Sequence, residues 1–185
     1  VRFGVRTPDG LAQLVAELGA SVAAGSASAA AEFGGTVVFA GPFGAWPDFA
    51  AANAAAPADK AVIDAANPYP ARDGAVAEAA TASGRGSALY VARLLPGARI
   101  VKGFNTIYWT DLRDKAHSAR PKLAMPIAGD DEAAISLASQ LASDAGFDPV
   151  VVGGLDRSAA LDPGSRIYAK SFTAQQVREA LGLAG

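Results

Sequence analysis

Lys60-Ala61-Val62-Ile63-Asp64-Ala65-Ala66-Asn67-Pro68-Tyr69 is the stretch on which the fold turns. Ala61, Val62 and Ile63 form a short apolar run of the kind that makes a strand buried on both faces. The run stops at the carboxylate of Asp64. Asn67-Pro68 then leads the chain out of the sheet, because Pro68 has no N–H to donate and steers Asn67 away from helical angles. The design recurs at Arg99–Ile107, where Ile100 and Val101 precede Lys102-Gly103-Phe104-Asn105-Thr106. Two strands thus end in small or amide side chains, at what should be one carboxyl edge of one sheet. Ligands of open α/β sheets bind at that edge.

Working outward, the chain alternates. Val1–Val5 reads as a strand, and Arg6-Thr7-Pro8-Asp9-Gly10 turns into a helix whose Leu11, Leu14, Val15 and Leu18 share one face, with Gly19 as its cap. A short strand is expected at Ser21–Ala24. Ser26 or Ser28 caps an Ala-rich helix ending near Gly34-Gly35. Thr36–Ala40 is a buried strand followed at once by Gly41-Pro42-Phe43-Gly44. A helix spans about Ala45–Ala55, a loose polar connection Pro70–Ser83, and a helix Gly86–Leu95. This alternation argues a doubly wound, mostly parallel sheet. From Tyr108 to Lys122 the chain reads as polar and irregular. Strands at Leu123–Ala128 and Phe147–Val152 then flank a helix lined by Ala134, Ile135, Ala138, Leu141 and Ala142. Thr173-Ala174-Gln175-Gln176 is a capping box for a last helix.

Composition narrows the classes of function. With 185 residues, 51% hydrophobic and 18% charged, the chain can bury a core and is not disordered. A net charge of -2 supplies no basic field for nucleic acid. The absence of cysteine excludes disulfides and thiolate metal sites. No apolar run is long enough to span a bilayer, and no signal peptide is visible, so a cytoplasmic location is expected.

Few residues suit acid–base chemistry. His117, the single histidine, sits in a polar stretch and reads as a surface residue. Asp130-Asp131 reads as a helix cap and dipole partner. No Ser-His-Asp set or metal-ligand spacing can be built, so no catalytic acid or base is nominated. Hydride transfer between bound cofactors needs positioning more than proton transfer. Arg6 and Thr7 offer a guanidinium and a hydroxyl for the 2′-phosphate of NADP, or are a solvated turn. Ala40, Gly41, Pro42 and Phe43 allow close approach of a ligand to the backbone, or are an ordinary turn. Asn67-Pro68 and Asn105-Thr106 can orient a carboxamide or carbonyl, or cap their own turns.

Several motifs together resemble the coenzyme F-420 (deazaflavin) dependent NADP reductase family. They are Val62-Ile63-Asp64-Ala65 with Asn67-Pro68-Tyr69, Arg72-Asp73-Gly74, and Leu95–Lys102 with Phe104-Asn105-Thr106-Ile107. Pro126–Asp131, Asp144–Val150 with Gly153 and Leu155, and Pro163-Gly164 with Tyr168 extend the likeness, which is most specific over 95–107 and 126–155. Gly103 stands where the family has Ala. The resemblance implies a Rossmann-like domain over 1–107 and a small α/β extension over 108–185. It implies NADP(H) as cofactor and a deazaflavin (coenzyme F-420) or flavin as co-substrate. Arg6 and Thr7 match the 2′-phosphate positions, Ala40, Gly41 and Pro42 the strand end along the dinucleotide, and Asn67, Pro68, Phe104, Asn105 and Thr106 the nicotinamide side. It also implies a homodimer through the later part, with the face at 134–142 as interface, although core packing explains that face equally.

One family feature is missing. No strand is followed by a G-x-G-x-x-G turn opening a helix. Val1–Val5 then corresponds to the second strand of the fold, and the first strand and its glycine-rich loop are absent. The chain reads as an N-terminally truncated member, in which the sheet should show a gap, or Val1–Val5 should shift onto the strand at 36–40. The expected function is hydride transfer between NADPH and a deazaflavin or other small acceptor. The alternatives are a non-catalytic NADP-binding or sensing module and an inactive remnant.

Overall fold

The structure is a computed structural model that describes residues 1–53, 55–117 and 120–183. Strands β1 (Arg2–Gly4), β2 (Ala23–Gly25), β3 (Thr36–Phe39), β4 (Ala61–Asp64), β5 (Arg99–Gly103), β6 (Ala124–Gly129) and β7 (Asp148–Gly153) alternate with helices. These are α1 (Ala12–Leu18), α2 (Ala27–Phe33), α3 (Trp46–Asn53), α4 (Pro70–Asp73), α5 (Ala75–Thr81), α6 (Ala88–Leu94), α7 (Trp109–Asp114), α8 (Glu132–Asp144) and α9 (Ala174–Leu181).

β4 sits inside the larger sheet, paired in parallel with β3 and β5. Its whole length is buried, with Val62 and Ile63 fully inaccessible. Val62 and Ile100 face one layer with Trp46, Val91 and Leu95, while Ile63 and Val101 face the other with Ala134, Ala138 and Ala142 of α8. Alternate residues of a strand point to opposite faces, so a strand between two helical layers must be apolar throughout. The small side chains at i, i+4 and i+8 of α8 let that helix lie close on the sheet.

Caps mark several helix starts. Ser26 Oγ accepts the Ala29 N–H at 3.1 Å, Asp131 accepts that of Ala134 at 2.8 Å, and Thr173 and Gln176 form the reciprocal capping box. His117 is exposed, as its polar surroundings imply.

Two stretches carry more helix than their polarity suggests. Residues 70–83 hold α4 and α5, and 108–122 hold α7. Ala77 and Ala80 bury α5 against its neighbours, so a short, weakly patterned segment becomes helical through packing. β6 runs antiparallel to β5 and parallel to β7, so the sheet continues directly across residue 107.

The sheet is divided. β1 and β2 form a parallel pair of their own, and the order β3-β4-β5-β6-β7 makes a second sheet. The gap expected from the sequence is present, and β1 does not shift onto β3. A cleft of 790 Å³ lies between their edges.

Candidate functional site

Parallel strands from β3 to β5 place Ala40-Gly41, the residues after Asp64, and the residues after Gly103 along one carboxyl edge. Under that edge lies a buried charge cluster. The Lys102 ammonium and the Asp64 carboxylate are both fully buried, 2.9 Å apart. Lys102 also donates to the Ala66 carbonyl and stands 3.9 Å from Asp162. Asp64 accepts further hydrogen bonds from Trp46 Nε1 at 3.2 Å and the Ala66 N–H at 3.0 Å. Asp162 accepts from the Ser87 N–H at 2.8 Å and from Ser87 Oγ at 2.6 Å. Each charge is thus paired and hydrogen-bonded, the condition under which buried ions are tolerated. The cluster ties β4, β5, the start of α6 and the loop at 162 into one rigid base.

Two asparagines meet on that base. Asn67 Nδ2 donates to the Asn105 carbonyl at 3.0 Å, and Asn105 Nδ2 donates to Asn67 Oδ1 at 2.9 Å and to the Leu161 carbonyl at 2.8 Å. Asn105 Oδ1 is buried and has no hydrogen-bond partner among the described residues. Phe104, just before it, is held at φ 61°, a left-handed angle costly for a branched or aromatic residue. Thr106 is buried, and its carbonyl accepts the Ala169 N–H at 2.9 Å. Pro68 is buried beside Asn67.

A second brace lies at the rim. Asp73 accepts the Gly44 N–H at 3.1 Å and the Tyr69 N–H at 3.0 Å, and pairs with Arg72 at 2.8 Å. The Arg72 hydrogen bond, aided by the two backbone donors, holds the Asp73 carboxyl down at about 2. Arg72 Nη2 reaches the Asn67 carbonyl at 2.9 Å, and its guanidinium lies 4.9 Å from the centre of the Tyr69 ring. The Tyr69 and Tyr168 hydroxyls are hydrogen-bonded to each other. Burial first, then that bond, pushes the Tyr168 phenol up, so it stays protonated at neutral pH.

The residues singled out in the sequence fall into three places. Asn67, Pro68, Phe104, Asn105 and Thr106 come together at the β4–β5 edge. Ala40 and Gly41 line the cleft between β1 and β3, together with Val5. Arg6 and Thr7 follow Val5 on the exposed surface, and the Thr7 carbonyl accepts the Gly10 N–H at 3.0 Å. Pro42 is exposed, while Phe43 is wholly buried in the core, its ring centre 5.8 Å from Lys102 Nζ. Sequence reasoning missed the charge cluster. Its signal was available in part: Asp64 and Lys102 each follow an apolar run near a strand end, and the structure sets the two in register.

The parallel strands, the helices on both faces and the polar groups gathered at the carboxyl edge define a Rossmann-like α/β protein. Residues 1–68 match the family described as NADP oxidoreductase, coenzyme F420-dependent, and the resemblance carried by the sequence motifs is borne out at that level. A hypothetical protein from Sinorhizobium meliloti is 27% identical, with a TM-score of 0.76 over 91% of this chain and 80% of its own. A protein from Arthrobacter sp. FB24, provisionally described as an F420-dependent NADP-reductase, is 22% identical, with a TM-score of 0.70 over 100% of this chain and 84% of its own. The likeness to the second is one of fold. No curated protein matches the chain.

Proposed function

We propose that the chain is the NADP(H)-binding body of an oxidoreductase that passes a hydride between NADPH and a deazaflavin or other small planar acceptor. The observation that carries this reading is the Asn67–Asn105 pair, fixed over a buried ionic base at the carboxyl edge. A nicotinamide carboxamide lying on this edge would meet the half-buried Asn67 amide, which can orient it. The scarcity of acid–base groups agrees, because hydride transfer calls for alignment of two rings and not for a proton relay. Arg6 and Thr7, exposed beyond β1, suit a 2′-phosphate. Ala40 and Gly41 suit the dinucleotide lying along the edge. Tyr69 and Tyr168, hydrogen-bonded to each other beside Asn67, offer aromatic surface near the β4–β5 edge for an acceptor.

A second reading has its own support. The chain has no glycine-rich turn, and a cleft opens between β1 and β3, where a dinucleotide fold places the pyrophosphate loop. A protein so built binds NADP weakly, as a sensing module or an inactive form.

Titration with NADPH and with NADH, followed by calorimetry, separates these readings. NADPH binding in preference to NADH, with turnover of a deazaflavin or flavin, is expected of the reductase. NADPH binding without turnover indicates the module. Absence of NADPH binding sinks the reductase reading for these 185 residues.

A further inference from the structure

We infer that the hydroxyl pair of Tyr69 and Tyr168 is the hydrogen-bond donor for a ring carbonyl of the hydride acceptor. The acceptor class is then a planar heterocycle whose carbonyl is conjugated with the ring position that takes the hydride. The inference rests on the proposed hydride-transfer function and sets a chemical requirement on its second substrate.

The argument begins with a count of donors. The two hydroxyls are hydrogen-bonded to each other. That bond uses one of their two O–H groups, and among the described residues nothing takes the other. A phenol that receives a hydrogen bond from its neighbour becomes a better donor itself. Tyr69 is 37% exposed and Tyr168 is half-buried, so a ligand can reach the pair. Water competes for an exposed bond of this kind, so the tie between the two rings adds little to stability.

The pair stands at the carboxyl edge, reached from both strand ends. Tyr69 lies two residues beyond Asn67. Tyr168 precedes Ala169, whose N–H bonds the Thr106 carbonyl at 2.9 Å. The two phenols therefore approach from the β4 side and from the β5 side of the Asn67–Asn105 pair. Both are held. The Tyr69 N–H bonds Asp73 at 3.0 Å, and the Tyr168 N–H bonds the Ser165 carbonyl at 3.3 Å. The Arg72 guanidinium lies 4.9 Å from the centre of the Tyr69 ring, and its Nη2 bonds the Asn67 carbonyl at 2.9 Å. One guanidinium thus fixes the ring of Tyr69 and the backbone of Asn67 together. A nicotinamide oriented by Asn67 and a second ring touching the phenols would share this edge.

The chemistry selects the carbonyl. In the transfer a C–H bond of NADPH breaks, and the hydride carries both of its electrons into a new bond on the acceptor ring, leaving NADP⁺. The acceptor's own π electrons move along the conjugated system to its carbonyl oxygen, which gains negative charge. A proton from water completes the reduction. A donor at that oxygen acts most strongly in the transition state, as the charge grows. Such a donor must keep its own proton. Burial, followed by the bond to Tyr69, pushes the Tyr168 phenol up, and the positive charge of Arg72 opposes this more weakly. A pair that donates without shuttling protons also suits a chain with so few acid–base groups.

The test reads the carbonyl and not turnover. Riboflavin labelled with ¹³C at its ring carbonyls is titrated into the 185-residue chain, without nucleotide and again with NADP⁺. Labelled 5-deazariboflavin is the second probe. One carbonyl resonance is expected to move downfield on binding, the signature of a hydrogen bond received. In the double variant Tyr69→Phe, Tyr168→Phe that shift should vanish, and affinity should fall about 5- to 10-fold, the loss of one neutral hydrogen bond. Each single variant retains one hydroxyl and should keep a smaller shift. A merely structural tie predicts otherwise: affinity would follow the thermal midpoint, and the carbonyl shift of the bound ring would not change. Should the double variant fail to fold, the parent chain's shift and the single variants decide. Absence of binding by both probes, or a carbonyl shift that survives the loss of both hydroxyls, overturns the inference. A hydroxyl-dependent carbonyl shift in a chain that does not bind NADPH upholds the donor pair and removes NADP from the proposed function. NADPH binding with no carbonyl shift does the reverse.

Discussion

Arg6 is where the cofactor reading is most exposed to test. A charge-assisted hydrogen bond to phosphate contributes about 1.5–3 kcal/mol. Arg6→Ala is therefore expected to weaken NADPH binding by about 10- to 100-fold and leave NADH unchanged. Equal losses for both nucleotides in calorimetry would remove Arg6 from the 2′-phosphate. Lys102 belongs to the interior. Lys102→Met strands Asp64 without its cation at a fully buried site, for an expected loss of about 3–5 kcal/mol. A shift in the denaturation midpoint worth less than about 1 kcal/mol would mean that water reaches the cluster. Asp73 has a pH signature. Its carboxyl lies near 2 in the folded chain against an ordinary 3.8. Its contribution is therefore complete above pH 4 and is lost as the pH falls toward 2. Arg72 is 47% exposed, so solvent screening reduces that contribution to about 1 kcal/mol. Acid titration of Asp73→Asn, which should lack this portion of the pH dependence, checks it.

At the scale of elements, the tightest constraint lies where the turn before α6 meets the 3-10 segment at Leu155–Leu161. Gly86 sits at φ 122°, and a Cβ there would lie 2.0 Å from Ser158 Oγ and 2.3 Å from the Ala159 N. Backbone strain and steric overlap add, so Gly86→Ala is expected to cost about 2–4 kcal/mol by chemical denaturation. An unchanged midpoint would show that the 3-10 segment moves aside freely. The same contact explains why Ser87 and Asp162 can meet, and so why the ionic base is closed from the α6 side. Strand ends were easier to read than helix content. Asn67 and Asn105 could be placed together because each follows an apolar run that breaks at a turn. α4, α5 and α7 escaped because segments of four to seven residues carry too little periodicity.

For the whole molecule, the divided sheet sets the behaviour in solution. Open, apolar strand edges template pairing with other chains unless charge blocks them. Val38, 55% exposed at the β3 edge, is the obvious gatekeeper position. Val38→Lys is expected to lower self-association at high concentration, read by light scattering, with a change in thermal midpoint of no more than a few degrees. Unchanged scattering would show that the β3 edge is not the sticky surface. The family match falls on residues 1–68, whereas the motifs read as most specific lie at 95–107 and 126–155. The likeness in fold nevertheless takes in 91% and 100% of the chain for the two neighbours, and β6 and β7 continue the sheet that β3 begins.

By itself the sequence determined the alternation of strands and helices, the buried character of β4 and β5, the capping box at Thr173 and Gln176, and the absence of a glycine-rich phosphate turn. It narrowed two further caps to Ser26 or Ser28 and to Asp130 or Asp131, whereas the strand it read as buried at Thr36–Ala40 is only half-buried. These are local matters of apolar runs, turn residues and hydrogen bonds within a few positions of one another. The tertiary structure decided the rest. It set Lys102 against Asp64, 38 residues away, brought Asp162 to Ser87, 75 residues away, turned β6 antiparallel, and left β1 and β3 facing each other across an open cleft. Those outcomes depend on which elements become neighbours, and adjacency in space follows from packing all the layers at once, beyond what any single stretch of chain encodes.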